Sequence, residues 1–484
     1  MKNAITALLA ASGLASCAVP DLGPRPAPLT PPQVQTQTLA GGTGAWPRND
    51  WWVGYADPQL SRLISEGLER APDLAAAAAR FRAASSVARE ARSGLLPTVD
   101  VQAAIDLTKQ TYNGGIPREF TPKGWNETGI VNLQLAWDLD LWGRNRAQAR
   151  AAMSEADAAA LELTQARLVL STGIADAYAE LVRLIAERDV SLDTIALRSN
   201  TRRLVAERVA NGLDTQAELK QAIGAIPAAE ADLAATDEAI GLAKNQLAML
   251  VGQGPDLARS ISAPSRLSGI HGIPADVRTD LLARRPDIRA ALARVEAAAA
   301  RIKVARTAFY PSLNITSLIG LQALGLDRVF KTGSTYGNAS PALGLPIFQG
   351  GALRARYRGA RAEYDEAVAQ YDATVIQAFR EVADVAVSRQ ALVDRLGKSE
   401  AALAASREAF DIAQLRYKGG LSTFLDVLTA QNAVLINQRA SAVLSTRAFA
   451  LDVSLVRALG GGYFSPPPTG PAAPPILIGD KIRG

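Results

Sequence analysis

Two periods divide the chain. From Pro97 to Gln110 the odd positions Val99, Val101, Ala103, Ile105 and Leu107 are apolar, while the even ones include Asp100, Gln102 and Asp106. A return segment repeats the pattern, with Val131, Leu133, Leu135, Trp137, Leu139 and Leu141 set against Asn132, Gln134, Ala136, Asp138 and Asp140. The same alternation recurs later: Leu313, Ile315, Ser317, Ile319 and Leu321 oppose Ser312, Asn314, Thr316 and Gln322, and the chain comes back through Leu343, Leu345 and Ile347. A period of two predicts strands with one apolar face. Each pair encloses a polar loop with Gly or Pro, Tyr112 to Lys123 and Asp327 to Ser334.

Elsewhere apolar residues recur every three or four positions: Gly143 to Arg188, Thr215 to Val251, Gly351 to Val393 and Ser399 to Thr429, with Ala at many of the contacts. This predicts helices of unusual length, about 60 Å for forty residues. Small residues at the contacts predict close, coiled-coil-like packing. Because strand ends must meet again, reversals are expected near Leu184 to Asp189 and near Ser388 to Leu396.

The pattern is written twice. Ala71-Pro72-Asp73-Leu74 through Leu96-Pro97-Thr98-Val99 superimposes without a gap, at an offset of 214, on Arg285-Pro286-Asp287-Ile288 through Tyr310-Pro311-Ser312-Leu313. At an offset of 208, Arg208 to Thr215 answers Arg416 to Thr423, each with a Gly-Leu pair. The unit is helix, strand, strand, long helix, Gly-Leu break, long helix. The expected division is residues 51–260 for the first copy, 261–459 for the second, a lead at 17–50 and a Pro-rich tail at 460–484.

Residues 1–16 carry one Lys and then an apolar run from Ala4 to Leu14, which reads as an export signal too short for a permanent membrane helix. It ends in Leu14-Ala15-Ser16-Cys17, similar to a bacterial lipobox, which makes Cys17 the expected lipid-bearing residue and, by the same similarity, Ala18 a marker for the outer membrane. Cys17 is the sole cysteine, so the chain cannot form an internal disulfide. With one His, His271, it cannot assemble the usual nitrogen and sulfur metal cluster, and no cofactor motif is present. His271 itself is expected in an exposed loop. The net charge of +5 comes from interspersed Arg, Lys and acidic residues, and no basic tract suggests nucleic acid.

Ten-residue alternation suits a half-buried soluble hairpin as well as an outer-membrane barrel, and export favours the second. Four strands cannot close a barrel and open edges are not tolerated in lipid, so oligomerisation is expected, with three copies giving twelve strands. Taken together, the Pro-Asp-Ile/Leu pairs, Asp140-Leu-Trp-Gly-Arg144, Pro346-Ile-Phe-Gln-Gly-Gly351, Ala378-Phe-Arg-Glu-Val-Ala-Asp384, Gly420-Leu421 and Ala458-Leu-Gly-Gly-Gly462 resemble the TolC-like outer-membrane efflux lipoproteins. The resemblance implies a homotrimer without enzymatic activity: a β-barrel in outer-membrane lipid continued by an α-helical barrel in the periplasm. It also implies an inner-membrane RND pump joined through a periplasmic adaptor. A protein-secretion channel of the same fold, or a poreless exported coiled-coil adaptor, are the alternatives.

Two sets of candidate residues follow. Asp100, Asp106, Asp138 and Asp140 share the even register and are expected to line the lumen, favouring cations or simply solvating a wide channel. The resemblance places closure at the periplasmic tip, and Glu381, Asp384, Ser388 and Arg389 are the gate candidates there, with Asp176 or Glu180 of a neighbouring chain as possible partners for Arg389. An exposed charge pattern on a coiled-coil surface would look the same.

Overall fold

The computed structural model describes residues 19–30, 43–264, 267 and 269–463. Cys17, the signal segment and the tail from residue 464 lie outside the described residues. In chain order, a 3-10 turn at Trp51–Tyr55 precedes α1 (Pro58–Arg70), α2 (Pro72–Ser93), β1 (Thr98–Thr108), β2 (Asn126–Asp138), α3 (Arg144–Ala210) and α4 (Gln216–Leu250). Short helices α5 (Asp256–Ser260) and α6 (Val277–Arg284) lead to α7 (Pro286–Thr307), β3 (Ser312–Leu324), β4 (Thr335–Gly344), α8 (Ala352–Lys418) and α9 (Phe424–Ala458).

The repeat holds to the residue in its helices. Both α2 and α7 have 22 residues, α3 and α8 have 67, and α4 and α9 have 35. At 1.5 Å per residue the longest are about 100 Å each.

The reversals are not where periodicity placed them. Both α3 and α8 run without interruption through residues 184–189 and 388–396, where no Gly or Pro stands in the way of continued backbone bonding except Gly397 just beyond. They end instead at the Gly-Leu breaks. Gly212 (φ 73°) and Gly420 (φ 74°) take the left-handed conformation that costs a glycine nothing. Leu213 N–H then donates to Arg208 C=O at 2.9 Å and Leu421 N–H to Arg416 C=O at 2.8 Å, the six-to-one bond of a Schellman ending. Two or three residues later Thr215 with Glu218, and Thr423 with Asp426, form capping boxes that start α4 and α9. Consequently the fourth helix spans 424–458, not 399–429.

Two compact units divide these elements. One comprises residues 80–159 and 291–371 with the start of the chain, and holds the sheet. Its four strands are antiparallel in the order β1-β2-β3-β4, the hairpin of each repeat joined to the other by β2 and β3. β4 stops at Gly344, so Leu345 and Ile347 lie past the strand. Part of the N-terminal lead is held on α8, where the Arg361 guanidinium donates to the Gly23 and Pro24 carbonyls and the Tyr364 hydroxyl to the Pro26 carbonyl at 3.0 Å.

The other unit comprises residues 29–79, 160–290 and 372–484. Its main core gathers Trp51, Tyr55, Leu60, Ile64, Ile174, Tyr178, Leu181, Leu247, Phe449 and Val453. Asp57 starts α1 by accepting from Leu60 N–H at 2.9 Å, and Pro58 occupies the first turn, where its missing N–H is harmless. A second core of Val205, Ala222, Phe410, Tyr417, Phe424, Val427 and Val434 lies beside the Gly-Leu turns.

Candidate functional sites: a two-faced sheet, paired helix turns and a buried carboxylate

Register converts the alternation of each strand into a property of the whole sheet. Val101 pairs with Leu133, Leu133 with Ile319 and Ile319 with Gly337, so odd positions align across all four strands. Even positions align likewise: Thr98 pairs with Ala136, Ala136 with Thr316 and Thr316 with Ser340. A shift of one residue at any pairing would scramble this. The odd face exposes large apolar side chains: Val101 is 70% exposed, Ile105 68%, Ile319 62% and Leu343 71%. A patch of this continuity on a chain surface marks contact with lipid or another chain. The even face is polar and bonds across strands: Gln134 Nε2 donates to Gln102 Oε1 at 2.6 Å, and Asn132 Nδ2 to the Tyr336 hydroxyl at 2.9 Å.

Of the four expected lumen residues, Asp100 and Asp106 stand exposed on the even face of β1, and Asp138 ends β2 in the same register. Asp140 does not belong with them. The strand is over at Asp138, and Asp140 sits in a turn with φ 44°. Its carboxylate accepts from Asn145 N–H at 2.8 Å and Arg146 N–H at 3.0 Å and pairs with the Arg146 guanidinium at 3.1 Å. It caps the first turn of α3, where backbone donors have no helical partner and a negative charge meets the positive end of the helix.

At the Gly-Leu turns, Arg208 of α3 reaches Asp214 at 2.9 Å, donates to Tyr417 C=O at 2.6 Å and lies 4.4 Å from the Tyr417 ring centre. The Tyr417 hydroxyl donates in turn to Asp214. Both charged side chains are largely buried, with 11% and 7% of their surface exposed. One arginine thus ties the turn of the first repeat to that of the second. Around it the turns present Leu213, Leu421 and Leu425, all more than half exposed.

The proposed gate residues are elsewhere. Glu381, Asp384, Ser388 and Arg389 lie near the middle of α8, and Arg389 is 29 residues from the helix end at Lys418, about 43 Å along the axis. Glu381 accepts from Arg285 at 2.7 Å and from Gln377. Asp384 forms an exposed i,i+4 pair with Arg380 at 3.2 Å. Within its own chain Arg389 donates to His271 C=O at 2.6 Å and lies 3.4 Å from Asp452. Glu180 is taken by Arg183 at 2.5 Å. Asp176 is pushed up to about 6 by burial, partly opposed by Arg457.

Arg389 belongs to a buried node that sequence inspection missed. Asp452, with none of its side chain exposed, accepts from the Tyr55 hydroxyl at 2.6 Å, His271 N–H at 3.0 Å, Ile270 N–H at 3.1 Å and His271 Nδ1 at 2.8 Å. Burial alone would raise its pKa; the bonds from His271, Tyr55 and Ile270 outweigh that and hold it below the usual carboxylate range. Burial and the adjacent Asp452 drive the Tyr55 hydroxyl far above its ordinary value. His271 is therefore not a free loop residue: it fastens the link between the two repeats to α9. Among the described residues no group of side chains could hold a metal ion, and no helix is long and apolar enough to cross a membrane.

The profile of the family described as "Outer membrane efflux protein" matches residues 63–253 and 277–461. The chain is 35% identical over 325 residues to the fusaric acid resistance protein FusA of Burkholderia cepacia, an alignment covering 65% of this chain and 60% of that one. It is 30% identical over 433 residues to the multidrug resistance outer membrane protein MdtP of Shigella flexneri, covering 88% of each. The crystal structure of the outer membrane protein VceC of Vibrio cholerae superimposes with a TM-score of 0.83 at 43% identity, over 86% of this chain and all of that one.

Proposed function

Because the chain belongs to the outer membrane efflux protein family, we propose that three copies of it form a passive exit duct through the outer membrane. The observation that carries this is the sheet: one face apolar and exposed across four strands, the other polar, with β1 and β4 each leaving an edge unpaired within the chain. In lipid those edges must find partners, and the β4 of one copy meeting the β1 of the next closes a barrel. Three copies give twelve strands. The odd face then meets lipid and the even face, with Asp100, Asp106 and Asp138, lines an aqueous lumen.

As a passive duct it takes its energy from a partner, an inner-membrane pump acting through a periplasmic adaptor. The Gly-Leu turns, with exposed Leu213, Leu421 and Leu425, are the place for that adaptor. Closure belongs there as well: Arg208, Asp214 and Tyr417 hold the two turns together, and opening must separate them. Cys17 is the lipid-bearing residue, and the segment after it, seated on α8, is its lead. The resistance proteins among its relatives support small toxic compounds as cargo over secreted proteins.

The test is loss of function in cells. Deleting the gene should raise steady-state accumulation of a fluorescent toxicant such as ethidium several-fold, with restoration by the intact chain in trans. Unchanged accumulation across a panel of cationic, neutral and anionic dyes would remove the export reading.

A further inference from the structure

The long helices carry a groove that neither the sheet nor the turns account for. It is an open cavity of about 640 Å³ between α3 and α9, with α4 and α8 at its rim. Four guanidinium groups converge on it: Arg198 of α3, Arg395 of α8, and Arg439 and Arg447 of α9. Arg198 donates to the Ala225 carbonyl at 2.6 Å. The other three make no ion pair with any described residue and are exposed. Two carboxylates also reach the groove, and of these Glu187 is already engaged by Arg183 at 2.5 Å, leaving Asp232 at the rim. Positive charge therefore predominates.

The apolar residues are interleaved with that charge. Leu435, Arg439, Val443 and Arg447 follow each other at four-residue spacing along α9, so on one face of the helix each arginine has an aliphatic residue one turn, about 6 Å, along the axis from it. Val190 of α3 and Leu444 of α9 supply further apolar wall. An inorganic anion would use the charges and leave these surfaces wet, while a neutral apolar compound would leave the guanidinium groups unused. We propose that this groove binds an amphiphilic organic anion: an aromatic or aliphatic body packed on Leu435, Val443 and Val190, with a carboxylate or sulfonate held by Arg439 and Arg447. A planar guanidinium pairs with a carboxylate through two parallel bonds, which makes Arg the suitable cation. The assignment concerns binding to the wall of the helices and stands or falls separately from the export reading.

Photolabelling of the full-length protein in an uncharged detergent tests it. The probe is 4-benzoylbenzoate, its neutral control is the methyl ester, and crosslinked residues are located by mass spectrometry. The carboxylate should saturate on segments containing residues 190–198 and 435–447. Labelling there should fall at least tenfold for the ester and for Arg439→Gln/Arg447→Gln, while Arg439→Lys/Arg447→Lys retains part of it. The substituted side chains are solvent-exposed on a helix that Gln and Lys support, so the fold is not at stake. Equal labelling by the ester, undiminished labelling of the Gln variant, or crosslinks confined to other segments would overturn the proposal.

Discussion

Removing the Tyr417 hydroxyl should open the duct by a predictable amount. Tyr417→Phe keeps the ring under Arg208 and in its core, and deletes only the bond to Asp214. A hydrogen bond to a charged group is worth about 1.5–3 kcal/mol, and every 1.4 kcal/mol is tenfold in an equilibrium. If the closed state keeps the two turns together and the open state does not, Tyr417→Phe should raise the open population about tenfold. Arg208→Ala loses more: the pair with Asp214 at 2.9 Å, the bond to Tyr417 C=O at 2.6 Å and the ring contact at 4.4 Å. With Asp214 left largely buried and without a counter-charge, a cost of about 3 kcal/mol follows, or about a hundredfold. Open probability of single channels in planar bilayers reads both, and the double variant should show less than the product of the two effects, because they share Asp214. Asp384→Ala is the control, since its exposed pair with Arg380 in mid-helix contributes little. Unchanged gating in both tip variants, or a larger effect from Asp384→Ala, would refute the placement of the lock.

Three further outcomes are expected. Cys17→Ser should abolish palmitate labelling while leaving the trimer detectable on native gels, because the strands fix the complex in the membrane. Asp100→Asn with Asp106→Asn should move the reversal potential in a salt gradient away from cation preference, measured on the same single channels. Asp452→Ala, which strands four donors in a fully buried site, should cost about 3–5 kcal/mol and lower the thermal midpoint of the helical signal. Its pH dependence has a definite sign. A carboxyl held below its ordinary pKa stabilises the fold above about pH 4 and loses that contribution as pH falls further, so wild type should lose stability below pH 4 more steeply than Asp452→Asn.

What could be read from sequence depended on whether a local rule governed it. Strand faces were legible because a period of two assigns every side chain to a side, and the register carried that assignment intact from Val99 to Leu343. Asp140 followed the same parity yet left the sheet, since parity carries no information once the chain turns, and the Gly143-Arg144 helix start beside it was the available warning. Helix reversals were misplaced for a related reason. The need for strand ends to meet again places a reversal somewhere, but residues 184–189 and 388–396 carry no breaker, whereas the Gly-Leu pairs followed by Thr-x-x-Glu and Thr-x-x-Asp carry both an ending and a start. With the turns at those pairs, Glu381, Asp384, Ser388 and Arg389 lie in mid-helix, and Arg208, Asp214 and Tyr417 lie at the turns. The Asp452 node had no local signature: Tyr55, His271, Arg389 and Asp452 come from four distant stretches, and only packing brings them together.

As a membrane wall, the four strands should meet water on one side only. In the Cys17→Ser background, single cysteines placed by Gln102→Cys, Gln134→Cys and Thr316→Cys should react with a membrane-impermeant maleimide through the lumen. Those placed by Val101→Cys, Leu133→Cys and Ile319→Cys, facing lipid, should react at least tenfold more slowly. Equal reaction at both sets of positions, or fast reaction on the odd face alone, would contradict the account.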